Sequence, residues 1–365
     1  MKKIKFLDEP ENGFYLTLKQ RVKQYFKDNN VSRYGNFFAV IKSLMFFSTF
    51  IFFYFVIIAL PQIPLWLFFC CWFFMGVAML FTAMSVVHDA AHNAYSKYVW
   101  VNQILLRFAN IVGGDGYMYK YKHTVSHHPY TNIRGYDIDL EQSKVVKVTP
   151  YTKTTKKHKY QHIYMKILYP GYILFWVLMR DFQYYNMEYI GPIKSKHKII
   201  HWIILITSKM VYLFYLLILP IIILPHPFWI IIIGFFLMQI GSGIVAMFAL
   251  LSNHVVEDSL FLVPDENGVI DCSWGEHQLR TTDDYSPDSS IISFFFSGLN
   301  HHVAHHLFPN YSHVHCPAIT KILRKTAAEF GLRYRYNSII GGFLSHFRLL
   351  KKLSTEKTKT FIAIE

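Results

Sequence analysis

Four long apolar runs constrain the fold of this chain more than any other feature of its sequence. They cover residues 37–60, 63–87, 199–224 and 228–251. Each run has about the 20 residues that a helix needs to cross a bilayer. Lys42 and Lys209 are the only charged residues within them. Charged residues make up 16% of the whole chain, against about 25% in soluble domains, so an ordinary soluble globule is excluded.

The runs come in two pairs that are joined by short links containing proline, at 61–64 and 224–227. Helices joined by such short links form antiparallel hairpins. Neither link contains Lys or Arg, and nearly all basic residues lie in the N-terminal arm, the middle loop and the C-terminal tail. The positive-inside rule therefore places these three segments in the cytoplasm.

The sequence thus predicts an all-α integral membrane protein with four transmembrane helices in two hairpins and a helical cytoplasmic cap. Its predicted segments are a cytoplasmic arm at 1–36, a first transmembrane hairpin at 37–87, cytoplasmic and interfacial helices at 88–198, a second transmembrane hairpin at 199–251, and a cap and tail at 252–365. Residues 163–190 mix apolar, aromatic and charged side chains. This pattern favours a helix in the membrane interface over a further crossing.

The charge balance is basic, since 37 Lys and Arg against 23 Asp and Glu give a net charge of +14. In a chain with so few charges, this bias indicates a basic face toward anionic head groups or another anionic partner. Nucleic acid is not expected, because the sequence shows no separate basic soluble domain. The four cysteines form no C-x-x-C motif, which fits a reducing compartment and gives no disulfide framework.

The 19 histidines are unusually many, and several are clustered. The four groups that follow or lie beyond the apolar runs are His88 with His92, His123 with His127 and His128, His254 alone, and His302 with His305 and His306. Spacings of three or four residues put imidazoles on one helix face. All four groups fall on the predicted cytoplasmic side, so we expect them to converge.

Neutral imidazole is a good ligand for iron, copper and zinc. A structural zinc site needs about four ligands, so eight or nine gathered rings indicate two metal ions. The scarcity of cysteine argues against iron–sulfur chemistry. Carboxylates near the rings could accept the second N–H of a ligand histidine and fix its tautomer. The candidates are Asp89, Asp137, Asp139, Glu257 and Asp283.

His254 has an alternative interpretation, because a lone ring at the end of an apolar run also fits a simple interfacial position.

The histidines outside the four groups are expected to have other roles. His158 and His162 stand among lysines and are expected on a solvated face. We expect His197 and His201 to anchor a helix at the membrane interface, and His313 and His315 to shape a loop. His277 is expected to have a surface or supporting role. His226 and His346 are isolated and are expected to have no role in the cluster.

These groups resemble the three histidine boxes of the membrane fatty acid desaturases, which read H-x(3,4)-H, H-x(2,3)-H-H and [H/Q]-x-x-H-H. The resemblance covers about residues 37–350 and includes the paired runs and the order of the boxes. Within that family, the front-end and linoleoyl-CoA-like branch is most similar. The similar stretches are KHTVSHHPYTNIRGYD at 122–137, HVVE at 254–257, HQLRTT at 277–282, GLN at 298–300 and HHLFP at 305–309.

The late box departs from that branch, whose members usually read G-L-N-Y-Q-x-E-H-H. Here His302 stands where glutamine is usual and Ala304 where glutamate is usual, which is more similar to methyl-end acyl desaturases. The resemblance therefore leaves the position of the double bond open. No H-P-G-G motif of a fused haem domain is present, so a separate electron donor is expected. His301 has no counterpart in the pattern.

The resemblance implies a di-iron centre that uses O2 as co-substrate and an external reductant such as ferredoxin or a small cytochrome. The implied iron ligands are His88, His92, His123, His127, His128, His254, His302, His305 and His306. It implies no catalytic side chain beyond these ligands. The implied substrate is a long acyl chain on CoA or a lipid, and the implied product contains a cis double bond.

Two other functions use the same features. A membrane hydroxylase of alkanes, acyl chains or carotenoids has similar histidine boxes and yields an alcohol. A metal transporter is non-enzymatic and places polar groups inside its spans. The runs here hold almost no polar groups and the histidines gather at one face, which disfavours the transporter. The match at 122–137 and 298–309 favours desaturation over hydroxylation.

Overall fold

The structure is a computed structural model that describes residues 4–140 and 144–358, and these residues are mainly helical. The helices in chain order are α1 (Phe14–Asp28), α2 (Phe37–Ala59), α3 (Leu65–Ala91), α4 (Val99–Leu106), α5 (Phe108–Ile111), α6 (Gly116–Lys122), α7 (Lys156–Tyr185), α8 (Ile199–Ile223), α9 (Phe228–His254), α10 (Trp274–Thr281), α11 (Ser290–Phe295), α12 (His302–Leu307), α13 (Cys316–Glu329) and α14 (Ile339–Thr355).

Six strands of two residues each accompany the helices and pair over short stretches. They are β1 (Lys5–Phe6), β2 (Tyr189–Ile190), β3 (Ile193–Lys194), β4 (Val269–Ile270), β5 (Asp284–Tyr285) and β6 (Tyr336–Asn337). The β1–β4 and β5–β6 pairs are parallel, and β2–β3 is antiparallel. Each pair connects two loop segments, and no pair among the described residues is large enough to form one side of a hydrophobic core.

The four predicted apolar runs form α2, α3, α8 and α9, so this part of the prediction is confirmed. Asn36 caps α2 by accepting a hydrogen bond from the amide of Ala39 at 3.0 Å, a common way to satisfy the first turn of a helix. α3 continues four residues beyond its predicted bound, past His88 to Ala91, and α9 continues three residues, to His254. The membrane helices themselves therefore carry histidines to the site.

A fifth long apolar helix accompanies the four predicted runs and occupies the stretch where the sequence predicts an interfacial helix. The structure has five helices that are long and apolar enough to cross a membrane, and α7 is the fifth. Within α7, 3₁₀ turns at Lys156–Tyr160 and Tyr169–Gly171 and a π-helical turn at Trp176–Arg180 join the α-helical parts. Polar residues spaced through this stretch obscured its length in the sequence. The chain is an integral membrane protein.

α3 and α9 form the centre of the helical bundle. Trp72 contacts Gly234 and, one turn later, Gly76 lies against the main chain of Met238, so the two helices run side by side in the same direction. A Cβ atom at Gly76 would overlap the Met238 carbonyl oxygen. Such close backbone contact needs a residue without a side chain. It brings the histidine-bearing ends of the two helices together.

A second apolar core lies in the cap. It joins α1 and α13 to α12, the short helix that carries the late histidine box. Leu18 of α1, Leu323 of α13 and Ala304 of α12 are all fully buried there. Because α12 has only six residues, it is too short to be stable alone. The cap core therefore sets where the late box lies.

Candidate metal centre

The histidine groups lie on four elements that meet at one place. α3 ends beside His88 and His92, α9 ends at His254, and α12 carries the late box. The fourth element is a π-helical turn at His123–His127 that directly follows α6. Within it the amide of His128 donates to the carbonyl of His123 at 3.1 Å. π-helical turns are rare and often occur at functional sites.

The first cluster contains His88, His92, His123 and His305. One nitrogen of each ring lies within 4.8 Å of one nitrogen of every other. His128 adjoins this cluster, since its Nε2 atom is 3.1 Å from the Nε2 atoms of both His123 and His305. The two boxes that are farthest apart in the sequence therefore share one cluster, as the sequence predicted.

The second cluster contains His127, His254, His302 and His306, with candidate nitrogens again within 4.8 Å of one another. It adjoins the first cluster, because the ring centres of His128 and His306 are 4.3 Å apart. All nine predicted histidines thus lie in one continuous site made of two groups. The arrangement matches what two neighbouring metal ions require.

The nine rings are buried, and burial favours the neutral form of most of them. Eight of the nine are at most 7% exposed, and the ninth, His254, borders an internal cavity. Burial, reinforced by neighbouring rings, lowers the pKa of His92, His123, His128, His302, His305 and His306. A lowered pKa keeps an imidazole unprotonated at neutral pH. Only the neutral form has the lone pair that binds a metal.

His127 has a different environment from the other rings. Its Nδ1 atom lies 3.2 Å from a carboxylate oxygen of Asp137. Burial opposes the charged form, but the Asp137 carboxylate outweighs it and raises the pKa of His127. A carboxylate that accepts from Nδ1 leaves Nε2 as the metal-binding atom and makes the ring a stronger donor. Asp137 is therefore the supporting group for the second cluster.

Helix α10 supports two more rings of the second cluster. The Nδ1 atom of His306 lies 2.9 Å from the side-chain oxygen of Gln278, and that of His254 lies 3.3 Å from the carbonyl of Thr281. Gln278 also donates to the carbonyl of His128 at 2.8 Å. Gln278 was not predicted from the sequence, although the HQLRTT stretch at 277–282 contains it.

The inner nitrogens provide a test of whether metal ions fit the site. Among the nine clustered rings, the Nε2 atoms of four have no hydrogen-bond partner in the described parts of the chain, and these belong to His88, His92, His254 and His306. A buried polar atom without a partner is costly in free energy. A bound metal removes that cost, and an all-imidazole set suits iron, copper or zinc. The residues present therefore fit a two-metal centre.

One of the five predicted carboxylates contacts a clustered histidine directly, and two others lie 3.9 Å from a clustered ring, Asp89 from His88 and Asp139 from His127. Of the five candidates, Asp137 alone, within the described parts of the chain, is hydrogen-bonded to one of the nine histidines. Three of the others pair with cations instead, Asp139 with Lys122, Glu257 with Arg348 and Asp283 with Arg335. Sequence proximity to a histidine did not indicate these longer-range partners.

Asp89 is the fourth. Its carboxylate lies 3.9 Å from Nδ1 of His88, beyond hydrogen-bond distance, and its shorter contacts are with other residues. Its carboxylate accepts from Ser312 Oγ at 2.6 Å and lies 2.8 Å from Nδ1 of His313. The other ring nitrogen of His313 lies 2.5 Å from the ammonium group of Lys42. His313 therefore joins two buried charged residues, a role that the predicted loop-shaping function did not include.

Several other histidines also have specific contacts. His158 is 1% exposed, so the expected solvated face was wrong there. His346 borders the cavity, with Nδ1 at 2.7 Å from the carbonyl of Val255. His301 contacts Ser293 and Thr320 and belongs to neither cluster. His201 stacks on Tyr117, His277 contacts the Thr131 carbonyl, and His226 packs on Phe68 at the far link.

An elongated apolar cavity of about 320 Å³ borders both histidine clusters. α3, α7 and α9 form most of its wall, and Met79 and Gly243 lie two to three turns from the histidines. A Cβ atom at Gly243 would overlap the carbonyl oxygen of Pro170, so α7 lies directly against α9. The cavity can hold an extended apolar chain with one stretch beside the clustered rings.

The family of the chain follows from its sequence profile. Residues 64–338, well over half of the chain, match the family described as fatty acid desaturase. The chain belongs to the fatty acid desaturase family. The enzyme is therefore an oxidoreductase that introduces double bonds into fatty acyl chains, as the histidine boxes predicted.

Relatives of this desaturase are similar along nearly the whole chain. An acyl-lipid (8-3)-desaturase of Physcomitrium patens is 32% identical over 355 residues, which cover 96% of this chain and 73% of the relative. An sn-1 linoleoyl-lipid 6-desaturase of Arthrospira platensis is 30% identical over 352 residues, which cover 94% and 93%. A protein of the same description from Synechocystis sp. is 30% identical, with 96% and 98% covered.

Proposed function

We propose that this desaturase uses two iron ions, held by the nine clustered histidines, to introduce a double bond into an acyl chain carried by a membrane lipid. The observation that carries the proposal is the pair of buried four-histidine clusters beside one apolar cavity. The lipid carrier is inferred from the relatives, which are described as acyl-lipid and linoleoyl-lipid desaturases. An acyl-CoA is the alternative carrier.

The chemistry explains why a metal centre is needed. No side-chain acid or nucleophile can break the C–H bond of an unactivated methylene, so a cofactor must do so. When bound, a reduced di-iron centre would supply that oxidation with O2 and electrons from an external donor such as ferredoxin or a small cytochrome. The first cluster together with His128 would hold one ion, and the second cluster would hold the other. His301 is not among the proposed ligands.

The protein's own contribution is positioning. Apolar side chains such as Met84, Val87 and Ala249 line the cavity near the clusters, so they exclude water and hold the chain extended. Holding one pair of carbons beside the metal groups makes the reaction effectively unimolecular, because the reacting atoms need not meet by diffusion. The choice of carbons then depends on how far the chain can enter, which is a property of the cavity wall.

We further propose that four of the five apolar helices cross the membrane and that α7 lies along the histidine side. Its start is tied to α14, since Gln161 donates to the carbonyl of Leu350 at 2.7 Å. Its end is tied to the start of α6, since Tyr185 donates to Asp115 at 2.5 Å. Because both ends of α7 lie on the side of the histidines, α7 is not expected to cross the bilayer. The distribution of lysine and arginine supports a cytoplasmic location for that side.

The product formed by the full chain tests the proposed reaction. After expression in a host that lacks the activity, mass analysis of the fatty acids is expected to show loss of two hydrogens from a long acyl chain. Gain of one oxygen instead would indicate a hydroxylase. A His92→Ala variant serves as the inactive control for host enzymes. An unchanged fatty acid profile, with iron bound and donor supplied, would contradict the proposal.

Asp137 provides a test of the second cluster. We expect Asp137→Ala to weaken iron retention about 10- to 100-fold, because His127 loses the group that orients it. Iron remaining after titration with a chelator measures this effect. Asp137 also accepts from the amides of Asn132 and Asp139, so Asp137→Asn, which keeps an acceptor oxygen, separates the loss of charge from damage to the loop.

The matched control is Asp258→Ala, which removes an exposed carboxylate that pairs with Arg333. This variant should retain iron like the unmodified protein. If Asp137→Ala were equally resistant to the chelator, then His127 would not depend on Asp137 and its assignment as a ligand would lose its support.

A further inference from the structure

The segment between the metal centre and α7 is strongly basic. Residues 144–166 contain seven lysines, and residues 144–180 contain no Asp or Glu. Six of the seven are exposed and form what we call the lysine array, namely Lys144, Lys153, Lys156, Lys157, Lys159 and Lys166. Within residues 4–140 and 144–358, no carboxylate lies within ion-pair distance of these six ammonium groups. Their charge is therefore available to a ligand.

Large apolar side chains are exposed beside the lysine array. Ile163 and Ile167, one turn apart on α7, are 56% and 77% exposed. Ile340 and Leu344 of the neighbouring α14 are 63% and 45% exposed. Exposed apolar residues next to lysines are typical of helices that lie at the boundary between lipid head groups and acyl chains. This surface therefore faces the bilayer and not the water.

The same surface borders an opening of the cavity. The cavity is only partly enclosed, and Leu250 of α9, which lines it, is 44% exposed, so we place the opening beside Leu250. The residues on either side of this opening belong to α7 and α14, because Gly243 lies against Pro170 and the rings of Phe248 and Phe343 are 4.9 Å apart.

The lysine array and the cavity wall form one connected unit. Val146 and Val148, which lie between array residues in the sequence, line the cavity. Gln161 of α7 fixes this stretch, since its side chain bonds both the amide and the carbonyl of Lys147 at 2.8 and 3.1 Å. Tyr164 donates to the carbonyl of Val145 at 2.6 Å. A ligand held by the array would therefore lie next to the cavity.

We propose that the lysine array binds the anionic head group of a membrane glycerolipid whose acyl chain enters the cavity beside Leu250, and that the enzyme therefore acts preferentially on chains carried by anionic glycerolipids. This inference rests on the proposed function and specifies its substrate. Each lysine near a bilayer attracts anionic lipid. A water-soluble acyl-CoA would not need an opening that faces lipid, so the exposed Ile163 and Ile167 favour the lipid.

The test uses the full chain, loaded with iron, in vesicles that contain either phosphatidylglycerol or phosphatidylcholine with identical acyl chains, and with excess electron donor. The unmodified enzyme is expected to desaturate the phosphatidylglycerol chains faster. In the triple variant Lys156→Gln, Lys157→Gln and Lys159→Gln, that rate should fall roughly tenfold or more, and the phosphatidylcholine rate should stay the same.

The matched control removes the same number of exposed lysines from α1 of the cap, as Lys19→Gln, Lys23→Gln and Lys27→Gln. It should keep the preference for phosphatidylglycerol. Equal rates on the two lipids in the unmodified enzyme would overturn the inference. An equal loss on both lipids in the array variant would also overturn it and indicate a docking site for an acidic electron donor.

Phosphatidylglycerol that remains bound to the purified protein gives a readout independent of turnover. The array variant is expected to retain several-fold less of it than the cap variant. Equal retention would refute the head-group site even if desaturation were observed. No desaturation of either lipid, with phosphatidylglycerol still retained through the array, would refute the proposed reaction and leave only a lipid-binding surface.

Discussion

Replacing His92 by alanine is expected to abolish desaturation and to remove about one of the two proposed iron ions. His92 lies in the first cluster, with its Nε2 atom free of any hydrogen bond within the described residues. Even residues that only support a metal ligand affect activity about 10- to 100-fold, so we expect a loss of at least ~100-fold for a ligand. Iron per protein and the rate of double-bond formation measure the two effects.

His306→Ala makes the same test for the second cluster and should likewise reduce both iron and turnover. The control is His226→Gln, because His226 lies in the link at the opposite end of the bundle and packs on Phe68. That variant should keep both iron and activity. If His92→Ala retained full iron and turnover, the first cluster would not be a metal site, and the proposed reaction would need another oxidising group.

Much of this architecture follows from local sequence patterns. The apolar runs predicted α2, α3, α8 and α9, because about 20 consecutive apolar side chains are stable only as a helix in lipid. The histidine spacings then predicted which rings share a helix face. Convergence of distant groups also followed, since two hairpins with short links return both histidine-bearing helix ends, at His88 and His254, to one side.

The parts that were not predicted depend on contacts distant in sequence. Asp89 was predicted beside a clustered histidine, but its hydrogen bond is with His313, which lies 224 residues away in the sequence. Gln278, which lies 28 residues before His306 in the sequence, supports that ring from a short amphipathic helix. The sequence predicted an interfacial helix at 163–190, but it did not indicate that the helix begins at Lys156, where Gln161 contacts Leu350 of α14. Tertiary packing determines these partners, and the spacing of residues within one segment does not reveal it.

The close contact of α3 with α9 predicts a large effect from a very small change. In Gly76→Ala the new methyl group would overlap the carbonyl oxygen of Met238, which is main chain and cannot rotate away. We expect destabilisation of about 1–3 kcal/mol or more from overpacking. The thermal unfolding midpoint of the purified protein should fall by several degrees.

The control makes the same substitution where there is room. A methyl group added at Gly171 in α7 would have no atom within 4 Å, and the φ of −83° at this residue suits alanine. Gly171→Ala should therefore leave the midpoint unchanged. Because α3 ends beside His88 and α9 ends at His254, separating the two helices should also lower bound iron in Gly76→Ala. Lost stability with unchanged iron would mean that the cap, and not this helix pair, holds the two clusters together.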